Sequence, residues 1–158
     1  MISYKGALDG KKIVLIDVMG TLLSPLYDGF GYEVRAGAPE FFSWCKSNGI
    51  DVGIHSDAPS EKIKAIFEES SLRGVNYFWG GEEHISVLAK LPAGEMVYVK
   101  NFSGMLEEAA RSAEEGLVIS DGDVEAAMAA GIRLIRVPYF GLEGILGEKF
   151  DFRELIPN

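Results

Sequence analysis

The sequence has a single cysteine and no long apolar run, so it lacks the features of disulfide scaffolds and of membrane spans. Its single cysteine, Cys45, rules out a disulfide within the chain, which fits a reducing compartment. No apolar run approaches the ~20 residues that a membrane-spanning helix requires, and residues 1–10 lack the apolar core of a signal peptide. We therefore expect a cytoplasmic protein without a membrane partner. Cys45 lies in an apolar helical pattern and is predicted to pack in the core.

The chain also has fewer basic residues than acidic ones. The chain has 15 Lys and Arg residues against 24 Asp and Glu residues, which gives a formal net charge of −9. Nucleic acids and anionic membranes select basic surfaces, so a nucleic-acid partner is disfavoured. With 158 residues and 47% hydrophobic residues, the chain is predicted to form a single domain, 1–158, with its own core.

Short apolar segments alternate with longer amphipathic ones along most of the chain. This alternation predicts βαβ units, and therefore an α/β fold in which a mainly parallel sheet lies between two layers of helices, a Rossmann-like sandwich. The tail beyond residue 137 is predicted to be a loop with one helical turn near Phe152. The predicted strands are 13–16, 50–54, 75–79, 96–99, 117–119 and 132–137, and the predicted helices are 37–48, 59–70, 82–89, 102–115 and 123–130.

The stretch KKIVLIDVMGTLL, residues 11–23, organises the predicted sheet. Its apolar run fits a strand that is buried on both faces and ends at Asp17. Open α/β sheets bind their ligands at the carboxyl ends of such strands. Gly20 allows a sharp turn, and Thr21 adds a hydroxyl beside the acid. On these residues alone, Asp17 could equally cap a turn after a core strand.

This stretch resembles the first motif of the haloacid dehalogenase-like hydrolases, an apolar strand followed by Asp-x-Asp-Gly-Thr-Leu. The resemblance implies that Asp17 is a nucleophile that forms an aspartyl-phosphate. The second Asp, the usual general acid and base of the family, is Met19 here. The resemblance also implies the sheet order 5-4-1-2-3 and a small hairpin flap at about residues 23–35. The intervals from Asp17 to Ser56 and from Ser56 to Lys100 leave no room for a large cap, so a capless member is expected.

Two further stretches resemble motifs of the family that bind the phosphoryl group. IDVGIHSD places Ser56 after an apolar strand, where its hydroxyl would bond a phosphoryl oxygen together with Thr21. YVKNFSGML places Lys100 where capless phosphatases of the carboxy-terminal-domain type have Tyr-x-Lys-Asp-Leu, so Lys100 would neutralise the charge on nucleophile and substrate. Lys90 is the alternative lysine. Without the resemblance, Ser56 or Asp57 would equally suit a helix N-cap, and either lysine a solvated surface.

The stretch LVISDGDVEAAMAAG resembles the last motif, in which acids after a strand hold Mg²⁺. The resemblance implies a Mg²⁺ site formed by Asp17, the backbone carbonyl of Met19 and Asp121. The second acid is Asp123 or Glu125, depending on the register. Carboxylate and carbonyl oxygens are the ligands that Mg²⁺ prefers.

Three functions are consistent with these motifs. The first is a Mg²⁺-dependent phosphohydrolase, weakened by Met19, that acts on a phosphorylated small molecule or macromolecule as a monomer or homo-oligomer; water or His55 would protonate its leaving group. The second is a catalytically weak or inactive binding protein of the same fold. The third is the non-phosphatase chemistry of family members that also lack the second Asp, which is disfavoured because they need a helical cap.

Overall fold

The computed structural model describes residues 4–25, 31–141 and 149–158. In these ranges the chain forms nine strands, four α-helices and two short 3₁₀ turns, at Ala113–Glu115 and Phe152–Leu155. The strands are β1 (Ile13–Asp17), β2 (Leu23–Pro25), β3 (Tyr32–Val34), β4 (Asp51–His55), β5 (Tyr77–Trp79), β6 (Ile85–Lys90), β7 (Met96–Lys100), β8 (Gly116–Ser120) and β9 (Arg133–Arg136). The helices are α1 (Ala38–Ser47), α2 (Ser60–Glu69), α3 (Phe102–Glu108) and α4 (Val124–Ala130).

The central sheet has five strands in the order β5-β4-β1-β8-β9, and every neighbouring pair is parallel. Numbered among themselves along the chain, these strands read 3-2-1-4-5, which is the predicted order 5-4-1-2-3 seen from the other edge. β1 is therefore central, and Asp17 lies beside His55 of β4 in the register. The predicted α/β fold with a mainly parallel sheet is confirmed.

Alternate residues of β1 pack into different halves of the core. Val14 and Ile16 belong to the apolar cluster that includes residues of α1 and α2, among them Phe41 and Phe67. Ile13 and Leu15 belong to the opposite cluster, with residues of α3 and α4. This alternation is the two-residue period of a strand covered on both faces. The sheet is thus the middle of three layers, as predicted, and Cys45 is buried in the α1 side.

A small antiparallel hairpin follows β1, as the flap prediction expects. β2 pairs with β3, with Leu23 opposite Val34. Residues 26–30 of the predicted flap lie outside the described part of the chain. Residues 142–148 of the predicted tail loop also lie outside the described part of the chain. The helical turn expected near Phe152 is present at Phe152–Leu155.

The helix predicted at 82–89 is wrong, because most of this segment is strand β6. β6 pairs antiparallel with β7 to form a hairpin outside the central sheet. The chain reverses between them at residues 91–95, where Gly94 has φ of 90° and its N–H donates to the Leu91 carbonyl at 2.9 Å. The pairing with β7 therefore decides the conformation of 85–90, and local sequence contains little of that information.

The helix predicted at 102–115 is also too long. α3 ends at Glu108, and Ala110 has φ of 56°, which an α-helix does not tolerate. Ser112 and Glu115 then form a capping box that begins the 3₁₀ turn leading into β8. In the described ranges, no helix is both long and apolar enough to cross a membrane.

Candidate active site

Four polar residues meet where β1, β7 and β8 end. The Lys100 ammonium lies 3.0 Å from Asp17 Oδ1 and 3.1 Å from Asp123 Oδ2. The Ser120 hydroxyl donates to Asp123 Oδ2 at 2.7 Å and lies 3.4 Å from Asp17 Oδ2. Asp17, Lys100, Ser120 and Asp123 thus form one hydrogen-bonded network at the carboxyl edge of the sheet.

Burial controls the charge state of this network. It raises the pKa of Asp17 to about 7; the Lys100 ammonium opposes this rise, and the Asp123 carboxylate adds to it. Burial lowers the pKa of Lys100, but the attraction of Asp17 and Asp123 outweighs burial and leaves that pKa above its ordinary value. Lys100 is therefore a fixed positive charge directly beside the predicted nucleophile.

Asp123, rather than Glu125, reaches this network. Residues 120–123 form a tight turn in which the Gly122 N–H donates to the Ser120 hydroxyl at 3.1 Å. Asp123 ends the turn with φ of 59°, a left-handed conformation that Asp tolerates better than most residues. The turn directs its carboxylate toward Lys100. Glu125, one turn into α4, lines a neighbouring cavity instead.

Thr21 holds Asp121 from two sides. Its hydroxyl donates to Asp121 Oδ1 at 2.9 Å and accepts from the Asp121 N–H, also at 2.9 Å. Thr21 is fully buried, so in this structure its hydroxyl contacts the acid rather than the open cavity that the predicted substrate role would require. The Asp121 carboxyl is also within hydrogen-bonding reach of Asp17. The two acids that the sequence predicts as Mg²⁺ ligands therefore converge.

Gly20 makes the sharp turn after β1 possible. It has φ of 83°, and a Cβ at this position would lie 2.5 Å from the Tyr139 ring and 3.1 Å from Asp121 Oδ2. A side chain here would be strained and would also clash. The residue before it, Met19, is partly buried against the core and lines the same cavity as Asp17.

Arg35 supports this turn, a role that the sequence did not predict. Its guanidinium is buried between the rings of Phe140 and Phe150, at 5.4 and 5.0 Å from their centroids. It donates to the carbonyl oxygens of Gly20 and Thr21 at 3.5 and 3.3 Å. Nothing in the local sequence distinguishes such an arginine from a solvated one. Ser120 was missed in its network role as well, although its position at the end of a buried strand was a signal.

Ser56 lies at the cavity, and the structure does not use it as a helix cap. Its hydroxyl accepts from the Ala58 N–H at 3.1 Å. α2 begins at Ser60 and is capped by Glu82, whose Oε1 accepts from the N–H and the hydroxyl of Ser60 at 2.9 and 2.7 Å. Lys90, the alternative lysine, is at the exposed far end of β6. Ser56 and Lys100 are therefore the residues that face the site.

His55 is close to the network but closed off from solvent. It is fully buried, its ring meets Phe102 edge-on at 4.9 Å, and neither ring nitrogen has a hydrogen-bond partner in the described chain. Burial and the nearby Lys100 lower its pKa well below the usual value, against an opposing effect of the Leu15 backbone. A neutral, enclosed imidazole is poorly placed to protonate a leaving group, one of the roles considered from the sequence.

The residues of this site surround an open cavity of about 410 Å³, which we call the inner cavity. A ring nitrogen of His55 lies within 4.8 Å of carboxylate oxygens of Asp17 and Asp123, so an acidic metal site is sterically feasible. The lining includes the carboxylates of Asp17, Asp121 and Asp123, and carboxylate oxygens fit a hard cation such as Mg²⁺. The inner cavity is lined by Asp17, Met19, Ser56, Asp57, Ala58, Lys100, Ser120, Asp121, Gly122 and Asp123.

Comparison with solved structures identifies the fold. No protein-family model and no curated protein matches the sequence. A structure from Bacteroides fragilis, assigned to the haloacid dehalogenase-like hydrolases, superposes with a TM-score of 0.63 at 15% identity, over 89% of this chain and 95% of that one. The chain has the haloacid dehalogenase-like fold.

Two further structures with the haloacid dehalogenase-like fold contain ligands. CbbY from Rhodobacter sphaeroides, in complex with phosphate, superposes with a TM-score of 0.60 at 14% identity, over 82% of this chain and 87% of that one. The 3-deoxy-D-manno-octulosonate 8-phosphate phosphatase from Moraxella catarrhalis, with magnesium, phosphate and KDO, gives 0.51 at 14% identity, over 86% and 82%. At these identities the likeness establishes the haloacid dehalogenase-like fold and leaves the chemistry to be argued from the residues.

Proposed function

We propose that this protein is a Mg²⁺-dependent phosphohydrolase that acts through an aspartyl-phosphate on Asp17. One observation carries the proposal: Asp17, at the end of the central strand, is held by Lys100 in a network with Ser120 and Asp123. The magnesium and phosphate ligands of structures with this fold support it. The substrate is a phosphorylated small molecule or macromolecule.

The residues present fit the metal that the proposal requires. Asp17 and Asp121 would provide carboxylate ligands, and the Met19 backbone carbonyl would provide a third. Thr21 orients Asp121 through two hydrogen bonds, so that ligand is held in place before binding. When bound, Mg²⁺ would supply positive charge that screens the phosphoryl group from the carboxylate and stabilises the transferring group.

Asp17 would attack the phosphorus atom while the bond from phosphorus to the leaving oxygen breaks. Lys100 would balance the charge on the nucleophile and the phosphoryl oxygens, and the Ser56 hydroxyl would donate to one of those oxygens. Water would then attack the phosphorus of the aspartyl-phosphate, which releases inorganic phosphate and regenerates the Asp17 carboxylate. Asp123 and Ser120 would position Lys100 and Asp17 throughout.

Because Met19 replaces the second Asp of the first motif, that motif provides no proton donor for the leaving group. General acid–base catalysis typically contributes ~100- to 10,000-fold, so we expect slow turnover of ordinary alkyl phosphates. Faster turnover is expected for esters whose leaving groups depart without a proton. The absence of this acid also favours a second candidate, a binding protein of the same fold with little or no catalysis.

The test is phosphatase activity with and without Mg²⁺, using p-nitrophenyl phosphate, acetyl phosphate and a panel of phosphorylated metabolites. We expect Mg²⁺-dependent turnover that Asp17→Asn abolishes while the melting curve shows a folded protein. Beryllofluoride should form an adduct on Asp17, detected by NMR. Ser103→Ala, a change at an exposed position of α3, is the control and should retain wild-type turnover. Turnover that survives Asp17→Asn would refute the mechanism, and no turnover on any substrate would favour the binding protein.

A further inference from the structure

A second cavity opens beside the inner cavity, and its position suggests a role in substrate selection. This outer cavity has a volume of about 200 Å³ and shares Asp57, Lys100 and Asp123 with the inner cavity. A phosphoryl group held by Lys100 would therefore lie beside a residue that lines both cavities. The volume lies below the ~300–1,000 Å³ of typical ligand pockets, so it suits a group about the size of one ring. The other lining residues are Ile85, Tyr98, Val99, Glu125 and Ala126.

The hairpin of β6 and β7 supplies the apolar side of the outer cavity. Ile85 is opposite Lys100 in the register, and Tyr98 is two residues before Lys100, so all three side chains share one face of the hairpin. Ile85 is 46% exposed and Tyr98 is 59% exposed. The face that presents the catalytic lysine thus continues outward as an accessible aromatic and aliphatic surface. Such a surface can pack against the body of a leaving group.

Acidic residues give the outer cavity a net negative charge. Asp57, Asp123 and Glu125 line it, and among the lining residues that the structure describes Lys100 is the only cation. Lys100 is already bound to Asp17 and Asp123. Throughout the ranges 4–25, 31–141 and 149–158, no cation forms an ion pair with Asp57 or Glu125. Carboxylates at this position would accept hydrogen bonds from ammonium or hydroxyl groups and would repel another carboxylate.

We propose that the outer cavity is a leaving-group subsite that selects phosphate monoesters by the chemistry of their alcohol. The preferred leaving group has an apolar body about the size of one ring, which packs on Tyr98 and Ile85, and carries an ammonium or hydroxyl group that bonds Glu125 or Asp57. Leaving groups that carry a carboxylate are rejected. This proposal rests on the proposed phosphatase function, which it extends to a class of substrate.

The kinetic test compares two substituted aryl phosphates. We expect kcat/KM for 4-(aminomethyl)phenyl phosphate to exceed that for 4-carboxyphenyl phosphate at least tenfold in the wild type. Glu125→Gln should lower this ratio about threefold or more, because it removes one repelling charge; comparing ratios between proteins cancels the intrinsic reactivity of the esters. Tyr98→Ala should lower kcat/KM for both aryl esters about tenfold relative to acetyl phosphate. Met128→Ala, at a 76% exposed position of α4 that lines neither cavity, should change no ratio.

A wild-type ratio near one, or an unchanged ratio in Glu125→Gln, would overturn the subsite. A binding measurement separates this failure from failure of the phosphatase function. In NMR titrations of the ¹⁵N-labelled protein, benzylamine should shift the amides of Ile85, Tyr98 and Lys100, benzoate should not, and Tyr98→Ala should lose the response. If these shifts occur in a protein that hydrolyses no ester, the subsite stands and the phosphatase function fails. Equal responses to both probes, or none at these amides, would overturn the subsite whatever the activity.

Discussion

Met19 determines how a leaving group can depart from this site. Met19 lines the inner cavity, and it is partly buried against the core. The alkoxide of an alkyl phosphate needs a proton to depart, and the enclosed His55 is poorly placed to give one. We therefore expect Met19→Asp to raise kcat/KM for alkyl phosphates by up to the ~100- to 10,000-fold typical of general acid catalysis. Acyl phosphates and p-nitrophenyl phosphate should gain much less.

The matched control for this change is Met19→Leu, which alters the shape of the side chain but provides no proton donor. It should leave the preference for activated esters unchanged. Both variants are compared with the wild type by kcat/KM on each class of ester and by thermal melts. If Met19→Asp folds normally and gains nothing on any alkyl phosphate, the site lacks more than its acid. The binding-protein alternative would then be the better account.

At the scale of elements, the turn between β1 and β2 depends on Arg35 from the far side of the flap. Arg35 donates to the carbonyls of Gly20 and Thr21, and hydrogen bonds from charged groups contribute ~1.5–3 kcal/mol each. We expect Arg35→Met to lower the free energy of unfolding by about 2–4 kcal/mol, measured by urea denaturation. Mg²⁺ affinity should fall as well, because Thr21 holds Asp121. Arg133→Met, at an exposed position of β9, should stay within about 0.5 kcal/mol of wild type; an equal loss in both variants would contradict the role of Arg35.

Some strands and site residues were predictable from the sequence, and others depended on contacts between distant parts of the chain. β1 was predictable because a short run of four apolar residues that ends at an acid is typical of a buried strand. The β6 strand was not, since 85–90 is extended only because 96–100 pairs with it across a turn. In the site, Asp17 and Lys100 stand at strand ends in the sequence itself. The choice of Asp123 over Glu125 required the left-handed turn, and Arg35 required the packing of distant aromatic rings.

At the scale of the whole molecule, protonation of Asp17 is coupled both to folding and to Mg²⁺ binding. Its pKa is about 7 in the folded protein and 3.8 as an ordinary carboxyl, so the folded state binds the proton more tightly. Protonation of Asp17 therefore stabilises the folded state at low pH. In the metal-free protein this stabilisation is lost as pH rises from about 4 to about 7. Mg²⁺ requires the ionised carboxylate and therefore competes with that proton.

We therefore expect the apparent Mg²⁺ affinity to rise about tenfold per pH unit up to about pH 7 and to level off above it, as one competing proton requires. Calorimetric titrations at pH 5.5, 6.5, 7.5 and 8.5 measure this directly, and the Mg²⁺-dependent gain in melting temperature should follow the same curve. Asp121→Ala should weaken binding at every pH, because it removes a ligand without removing the titrating acid. Asp17→Asn should weaken binding and also abolish the pH dependence below 7. If Mg²⁺ binds equally well across this range, or as tightly to Asp121→Ala as to the wild type, the ion is held elsewhere. A site formed by Asp17, after β1, and Asp121, after β8, cannot bind Mg²⁺ without these effects.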